Sequence, residues 1–505
     1  MNPREEGYFS ELNRFGGKFA NLATMDWWNI LIYALLVSYF LLVIATVFTV
    51  LHERRDPIRA LSWIAVVILL PFIGLGLFVF FGQDYRKQKI FNRKEIKDLK
   101  QFEHLSYRQL REIDSFSHPA VASNREIITL LLNNNKSLLT TDNRLEVLND
   151  GAETFSSLVD ALRRAESSIH LEYYIFENDD LGGEIVEILK AKARSGVEVR
   201  FIYDDVGSWN LKRRFIRSLR EAGVQIHCFM PVVFPWLTSK INYRNHRKIV
   251  VIDGRVGYTG GLNIADRYLR GTKYGPWRDT HLKIEGSAVH MLQLTFLTDW
   301  YFATGIQLKD KEKYLAPAAR NAGDTAVQIA TSGPDSDWAT IMQAYFAAIN
   351  KATDHIYIST PYFMPGESLL TALKVAALSG IDVRIMLPSR SDSKIVYWAS
   401  RSYITELLEA RIKVYLYTEG FNHSKIMTID DHFSSIGTAN MDNRSFEDNF
   451  EVTAMIYDSR VTDRIEQRFL QDLKGCVKLT RKHWAARSRS EMLKESVARL
   501  FSPLL

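Results

Sequence analysis

The sequence predicts an α/β protein: a duplicated domain with one site on a pseudo-twofold axis, preceded by two transmembrane helices. Three observations lead there. From about residue 120, apolar strand-like runs alternate with helical runs. The order of these runs, and a short polar motif within them, recurs in both halves. Two long uncharged stretches lie ahead of them, near the N-terminus.

The uncharged stretches come first in the chain. Residues 27–51 and 60–83 each run about 25 residues without a charged side chain, enough to cross a hydrocarbon core of about 30 Å. Trp27, Trp28 and Trp63 sit near their ends, as interfacial aromatics do. A cleaved signal peptide fits poorly, because the first run starts late, is long, and is followed at once by a second. Arg86, Lys87, Lys89, Arg93 and Lys94 favour both termini in the cytoplasm by the positive-inside rule, while Arg54, Arg55 and Arg59 in the turn argue against it. The expected organisation is an N-terminal arm (1–26), a two-span hairpin (27–83) and a charged helical connector (84–120). A first domain (121–310), a second domain (311–480) and an amphipathic tail (481–505) follow.

Within the body, the strand candidates of the first half are 168–176, 197–203, 224–229 and 249–252. The matching runs of the second half are 356–362, 381–387, 412–417 and 426–429. A net charge of +6 over 505 residues suits an anionic surface without deciding anything alone. Cys228 and Cys476 lie far apart and in no motif, which disfavours a disulfide framework or a thiolate metal site. No stacking-rich basic strip marks a nucleic-acid binder.

The motif carries the chemistry. His246-Arg247-Lys248 is followed by Asp253, Gly260-Gly261 and Asn263. His423-Ser424-Lys425 is followed by Asp430, Gly437 and Asn440, and in both halves the asparagine falls 17 residues after the histidine. Two such matches with equal spacing arise by chance in on the order of one chain in a million, so coincidence is set aside. Residues two apart in a strand share a face. Packing the halves about a pseudo-twofold therefore brings two histidines, two lysines and two asparagines into one pocket.

Such a pocket suits a phosphodiester. The lysines are point charges for the non-bridging oxygens and the asparagine amides add neutral donors, opposing the charge that grows on a pentacoordinate phosphorus. One neutral histidine attacks phosphorus, and the other gives its proton to the leaving alcohol. The spacing does not say which does which. No metal-ligand spacing accompanies the motif, so neither metal nor cofactor is expected. Asp253 and Asp430 count with the catalytic set as motif members, although their odd spacing puts them at the strand ends, where they read as holding the following turn. A nucleophilic imidazole needs an acid on its other ring nitrogen. Asp279, 33 residues after His246, and Glu451, 28 after His423, are the candidates.

With these residues the chain resembles the phospholipase D superfamily, whose signature is two His-x-Lys-x4-Asp motifs, over about Val121 to Lys478. The resemblance implies duplicated phospholipase D-type domains. More narrowly, the chain is similar to the bacterial cardiolipin synthases. The supporting features are two spans joined by Glu53-Arg54-Arg55-Asp56-Pro57, the Phe81-Gly82 exit and the terminal Ser502-Pro503-Leu504-Leu505. That resemblance implies a phosphatidyltransferase of the inner membrane; the positive-inside rule, not the resemblance, favours its catalytic body on the cytoplasmic side. It would pass a phosphatidyl group from one phosphatidylglycerol to another, giving cardiolipin and glycerol. It implies His246 as nucleophile, His423 as acid/base, and Asp279 and Glu451 as orienters. A hydrolase, or another phosphatidyltransferase on membrane lipids, is the alternative, since the motifs do not encode whether water or a lipid alcohol resolves the phosphohistidine. The partners expected are phosphatidylglycerol, cardiolipin and the bilayer, with no nucleic acid; an oligomer is compatible with the sequence. The halves differ in one place: Gly-Gly-x-Asn in the first becomes Gly-Thr-x-Asn in the second.

Two apolar features stand outside the motifs. Met230-Pro231-Val232-Val233-Phe234-Pro235-Trp236-Leu237 reads either as a lip that dips into the bilayer or guides acyl chains, or as a loop buried under the domain interface. In the tail, Leu493, Val497, Leu500, Phe501 and Leu504 recur near helical spacing among Arg and Lys, fit either to lie on a membrane or to dock on the body.

Overall fold

The computed structural model describes residues 27–52, 57–70, 72–81, 97–113, 119–232, 243–308, 311–315 and 322–502. It divides into two compact units, residues 1–87 and 88–505.

In the first unit, Trp27–His52 is one helix of 26 residues with a mean hydropathy of 2.6 in its most apolar stretch. A helix satisfies every backbone donor internally, which an apolar phase requires. The second expected span is not one helix but two, Pro57–Leu69 and Ile73–Phe81. The break falls where the sequence has Pro71, which lacks a backbone N–H, and where Phe72 takes a left-handed φ of 63°. Among the described residues, one helix is long and apolar enough to cross a membrane. Val50, Val67 and Phe78 form a small core in this unit, and Tyr39 Oη donates to the Val67 carbonyl at 3.2 Å.

The second unit is built on one sheet. The first half contributes β1 (Thr140–Asp150), β2 (Ser168–Tyr173), β3 (Glu198–Asp204), β4 (Gln225–Phe229), β5 (Ile249–Ile252), β6 (Val256–Gly260) and β7 (Trp277–Glu285). The second half begins with β8 (Thr325–Ser332), β9 (His355–Ser359), the short β10 (Phe363–Met364), β11 (Asp382–Pro388) and β12 (Lys413–Tyr417). It continues with β13 (Phe421–Asn422), β14 (Ile426–Ile429), β15 (Phe433–Gly437), β16 (Met441–Asp442), β17 (Glu451–Tyr457) and β18 (Cys476–Lys478). The order across the main sheet is β18-β12-β11-β9-β14-β15-β17-β8-β1-β7-β6-β5-β2-β3-β4, with β13 paired to β7, while β10 and β16 form a separate two-stranded sheet. Apart from the edge strand β18, it reads the same from either end: β4-β3-β2-β5-β6-β7-β1 meets β8-β17-β15-β14-β9-β11-β12 at the β1–β8 seam. This is the duplication, an α/β fold of two like domains sharing a sheet.

Both sheet faces are covered, which is why the strands are continuously apolar. Ile249, Val250, Val251 and Ile252 are all buried. Each half has its own cluster on one face, Leu158, Ile185 and Phe201 in the first and Ile341, Leu373 and Ile385 in the second. The helices Ala288–Thr304 and Ser459–Asp472 fill a third core that both halves share, with Phe296, Trp300, Ile465 and Phe469 among its residues. A fully buried side chain of this kind contributes roughly 1.5–3 kcal/mol.

The motif aspartates require a correction. Asp253 and Asp430 follow β5 and β14 directly with left-handed φ of 53° and 50°, and they take no part in the pocket. Nor do they hold the turn that follows. Asp253 accepts the backbone N–H groups of Glu166, Ser167 and Ser168 at 2.7–2.9 Å, and Asp430 those of Thr353, Asp354 and His355 at 2.6–2.9 Å. Each thus ties the end of its own strand to the start of the neighbouring one, β2 or β9. Burial alone would raise both carboxyls; the cluster of N–H donors outweighs it and holds them below their ordinary range. Replacing either by Ala leaves three donors without their acceptor. Chemical denaturation of Asp253→Ala or Asp430→Ala is expected to show a loss of roughly 1–3 kcal/mol.

Candidate active site

Each motif tripeptide lies in extended chain immediately before its strand, β5 or β14. The stretch ahead of each histidine is paired with the opposite half. His246 N–H donates to the Phe450 carbonyl at 3.0 Å, and Phe450 N–H to the Arg244 carbonyl at 2.9 Å. In the same way His423 N–H donates to the Arg278 carbonyl at 2.7 Å, while β13 pairs with the start of β7. The acids therefore cross over. Glu451, from the second half, meets His246 Nδ1 at 2.9 and 3.0 Å. Asp279, from the first half, meets His423 Nδ1 at 2.8 Å.

The difference between Gly-Gly and Gly-Thr follows from these acids. Thr438 Oγ1 donates to Glu451 Oε2. At the matching position Gly261 leaves room for the shorter acid: a Cβ there would stand 1.9 Å from Asp279 Oδ1. Longer acid with hydroxyl, and shorter acid with bare backbone, are two solutions to the same placement of an imidazole.

Behind the histidines the lysines fold back. Lys248 Nζ donates to the His246 carbonyl at 2.7 Å, and Lys425 Nζ to the His423 carbonyl. Lys425 Nζ also lies 2.7 and 3.1 Å from the two ring nitrogens of His423. Both lysines are buried. His246, His423, Asn263 and Asn440 all line one cavity of about 520 Å³. Asn263 Oδ1 accepts from Ile175 N–H at 3.0 Å, and the Asn440 amide oxygen is buried without a hydrogen-bond partner among the described residues.

Sequence reasoning missed several residues here. Asn245 and Asn422 precede the two histidines, and each accepts the backbone N–H two residues on, at 3.1 and 3.0 Å. Their recurrence was a usable signal. Arg247 is fully buried: its guanidinium reaches Asp299 and the backbone carbonyl of Glu451, at 3.2 Å for the latter. It clamps the strand that carries the acid. The walls of the cavity differ between the halves. Two positions before His246 and Glu451 stand Arg244 and Asn449; before His423 and Asp279 stand Phe421 and Trp277. The Trp277 ring lies 5.1 Å from His423, and Tyr174 lies edge-on to His246 at 5.0 Å. The apolar lip lies outside the described residues from Val233 onward.

The electrostatics follow from burying two lysines together. Burial is the largest influence on His246 and lowers it to about 4; Glu451 opposes this and Lys248 adds to it. His423 is lowered by burial and by Lys425, against Asp279. Burial would raise Asp279 and Glu451, but Lys425 beside the one and His246 beside the other hold both carboxyls low. Burial lowers Lys248 to about 7 and Lys425 to about 8. The site thus holds two neutral imidazoles, two carboxylates, and two lysines whose ammonium forms burial disfavours; a phosphodiester anion beside them would favour those forms.

A cluster of ligand-like residues elsewhere, His355, Asp431 and Glu466, is already occupied by its own ion pair. His355 donates to Glu466 at 2.9 Å and Asp354 at 2.8 Å, and these partners raise it to about 9.

Two outcomes are expected. Gly261→Ala displaces the Asp279 carboxylate and, through it, His423; a shift of about 1 Å costs on the order of 10²-fold in kcat. Steady-state turnover of a phosphodiester reads this, with the unfolding midpoint as control. The second concerns pH. The lysines are charged below their pKa values and lose charge as the pH rises through about 7 and about 8. kcat/KM, which reports the free enzyme, should therefore fall across that range. Lys248→Arg keeps its charge, and its pH profile should fall later.

The family described as "Cardiolipin synthase, PLD-like domain" matches residues 158–274 and 345–473, and one described as "Phospholipase_D-nuclease N-terminal" matches residues 40–83. The chain is 46% identical over 474 residues to a protein named cardiolipin synthase from Geobacillus sp. (strain WCH70), covering 94% of this chain and 93% of that one. It is 42% identical over 484 residues to one named cardiolipin synthase 2 from Staphylococcus epidermidis (strain ATCC 12228 / FDA PCI 1200), covering 94% and 99%. Among solved structures, phosphatidylserine synthase of Haemophilus influenzae Rd KW20 is similar in fold, with a TM-score of 0.57 at 14% identity over 75% of this chain and 100% of that one. Identity at this level along nearly the full length of both chains, over a duplicated body with crossed histidine–acid pairs, establishes kinship: the chain belongs to the cardiolipin synthase family.

Proposed function

We propose that the chain is a cardiolipin synthase, a phosphatidyltransferase that joins two phosphatidylglycerol molecules with release of glycerol. The observation that carries this is the pair of histidines on one cavity, each held by an acid from the opposite half. With Nδ1–H donated to a carboxylate, each ring turns its other nitrogen to the substrate. One neutral Nε2 attacks phosphorus; the P–O bond to the headgroup glycerol breaks, and the other histidine, which takes up a proton from solvent at its Nε2 as the phosphodiester anion enters beside it, gives that oxygen its proton. The primary hydroxyl of a second phosphatidylglycerol then returns a proton to the same histidine and attacks phosphorus, and the P–N bond breaks. Superfamily usage gives the attack to His246 and the proton to His423. Lys248, Lys425, Asn263 and Asn440 take the non-bridging oxygens, and Asp279 and Glu451 orient the rings. The differing walls, Arg244 and Asn449 against Phe421 and Trp277, suit a phosphodiester whose two alcohols are unlike.

The anchor is the N-terminal unit: the helix Trp27–His52 crosses the membrane, and the broken pair Pro57–Leu69 and Ile73–Phe81 returns through it. The basic run from Arg86 to Lys94 supports a catalytic body on the cytoplasmic side.

Purified protein in phosphatidylglycerol vesicles with EDTA is expected to form cardiolipin and glycerol in equal amounts. His246→Ala and His423→Ala should each lose roughly 10³-fold or more. Phosphatidic acid as sole product would make the enzyme a hydrolase instead. Peptide mapping of the acid-quenched reaction should find the phosphohistidine at His246.

A further inference from the structure

The C-terminal helix Arg489–Leu500 is docked the wrong way round for an ordinary surface helix. Amphipathic helices turn their apolar stripe to the core and their charges to water. Here the polar side faces the protein. Glu495 is 3% exposed and receives Arg401 at 3.4 Å and Arg487 at 3.0 Å. Arg499 pairs with Glu406 and lies over the Tyr403 ring at 4.5 Å. The apolar stripe faces outward: Leu493 is 66% exposed, Val497 48% and Leu500 78%, and Phe501 continues it. These residues fall at i, i+4 and i+7, on one face.

The position of this stripe says what covers it. The helix packs on its neighbour Lys394–Ser402, whose Val396 lines the catalytic cavity and whose Ile395 is itself exposed. Past its end, the Ser502 carbonyl accepts from Asn443, between the cavity residues Asp442 and Arg444. The C-terminal end of the helix therefore lies beside segments that line the cavity. Arg489 and Lys494 are exposed beside it, and Arg481 and Lys482 lie exposed on the segment before. Apolar residues flanked by cations match an anionic lipid surface.

We propose that this inverted helix is a second membrane contact, which seats on an anionic bilayer and presents the cavity rim to the lipid. This rests on the reading of the chain as an enzyme of phospholipids. A protein interface would favour aromatic and Arg anchors in a polar rim; a flat aliphatic stripe edged with Lys and Arg fits an acyl boundary better.

The test uses the full chain reconstituted in phosphatidylglycerol vesicles. In a Cys228→Ser, Cys476→Ser background, Leu500→Cys carries a bimane label. Quenching by doxyl-labelled lipid, with protection from aqueous iodide, is expected. Iodide quenching without lipid quenching would overturn the proposal, and so would a disulfide between two copies at this position. The double variant Leu493→Asp, Leu500→Asp is expected to lose about tenfold in rate on vesicles and less than about twofold on monomeric short-chain phosphatidylglycerol. Equal losses on both, or none on either, would also overturn it. If the unaltered chain makes no cardiolipin from either lipid, the enzymatic reading fails, while the label still reports whether the helix meets lipid.

Discussion

The crossed pairing of histidine and acid is the constraint on which the rest of the structure depends. His246 needs Glu451, 205 residues away, and His423 needs Asp279, 144 residues away. Neither half can orient its own imidazole. The halves must therefore be held to within about 0.5 Å of the productive geometry. The fold meets this with one continuous sheet. The β1–β8 seam, the shared core around Phe296 and Phe469, and the backbone bonds of Phe450 and Arg278 to the opposing histidines make the two domains one rigid body at the site. The Arg247 guanidinium serves the same end from beneath, holding the Glu451 carbonyl.

The second constraint is charge. Two ammonium groups, two carboxylates and two imidazoles are buried together, at a desolvation cost that only mutual pairing offsets. Each acid holds an imidazole, and each lysine donates to the backbone carbonyl of its motif histidine.

Much of this was legible in the sequence because it rests on local repetition. The eight expected strands correspond to β2, β3, β4, β5, β9, β11, β12 and β14, since their apolar runs are short, β-branched and bounded by turns. The recurrence of His and Asn at equal spacing marks the cavity, whereas the lysines, expected in the same pocket, fold back behind the histidines and do not line it. What escaped was non-local. The seam strands β1 and β8 are polar enough to miss a hydrophobic pattern, for Arg144 and Gln328 lie within them. Strands β7 and β17, which carry the acids, were not anticipated, and counting along the chain cannot say that an acid serves the opposite histidine. Asp253 and Asp430 were grouped with the site by motif membership, although a residue at odd spacing from the histidine points elsewhere. The apolar run 60–83 reads as one span because hydropathy does not register the break between the helices ending at Leu69 and starting at Ile73.

The long separation between each histidine and its acid has a consequence for the growing polypeptide. A nascent chain that has not yet reached residue 423 has one motif histidine, and one that has not reached residue 451 holds His246 without its carboxylate. Closing so long a loop is also slow compared with forming the local helices and hairpins. Synthesis passes the apolar N-terminal helix early and the completing strand late. Reactivity toward phosphodiesters is therefore absent while the protein is still on the ribosome with its second half unmade, and it begins only when β17 closes against the first half.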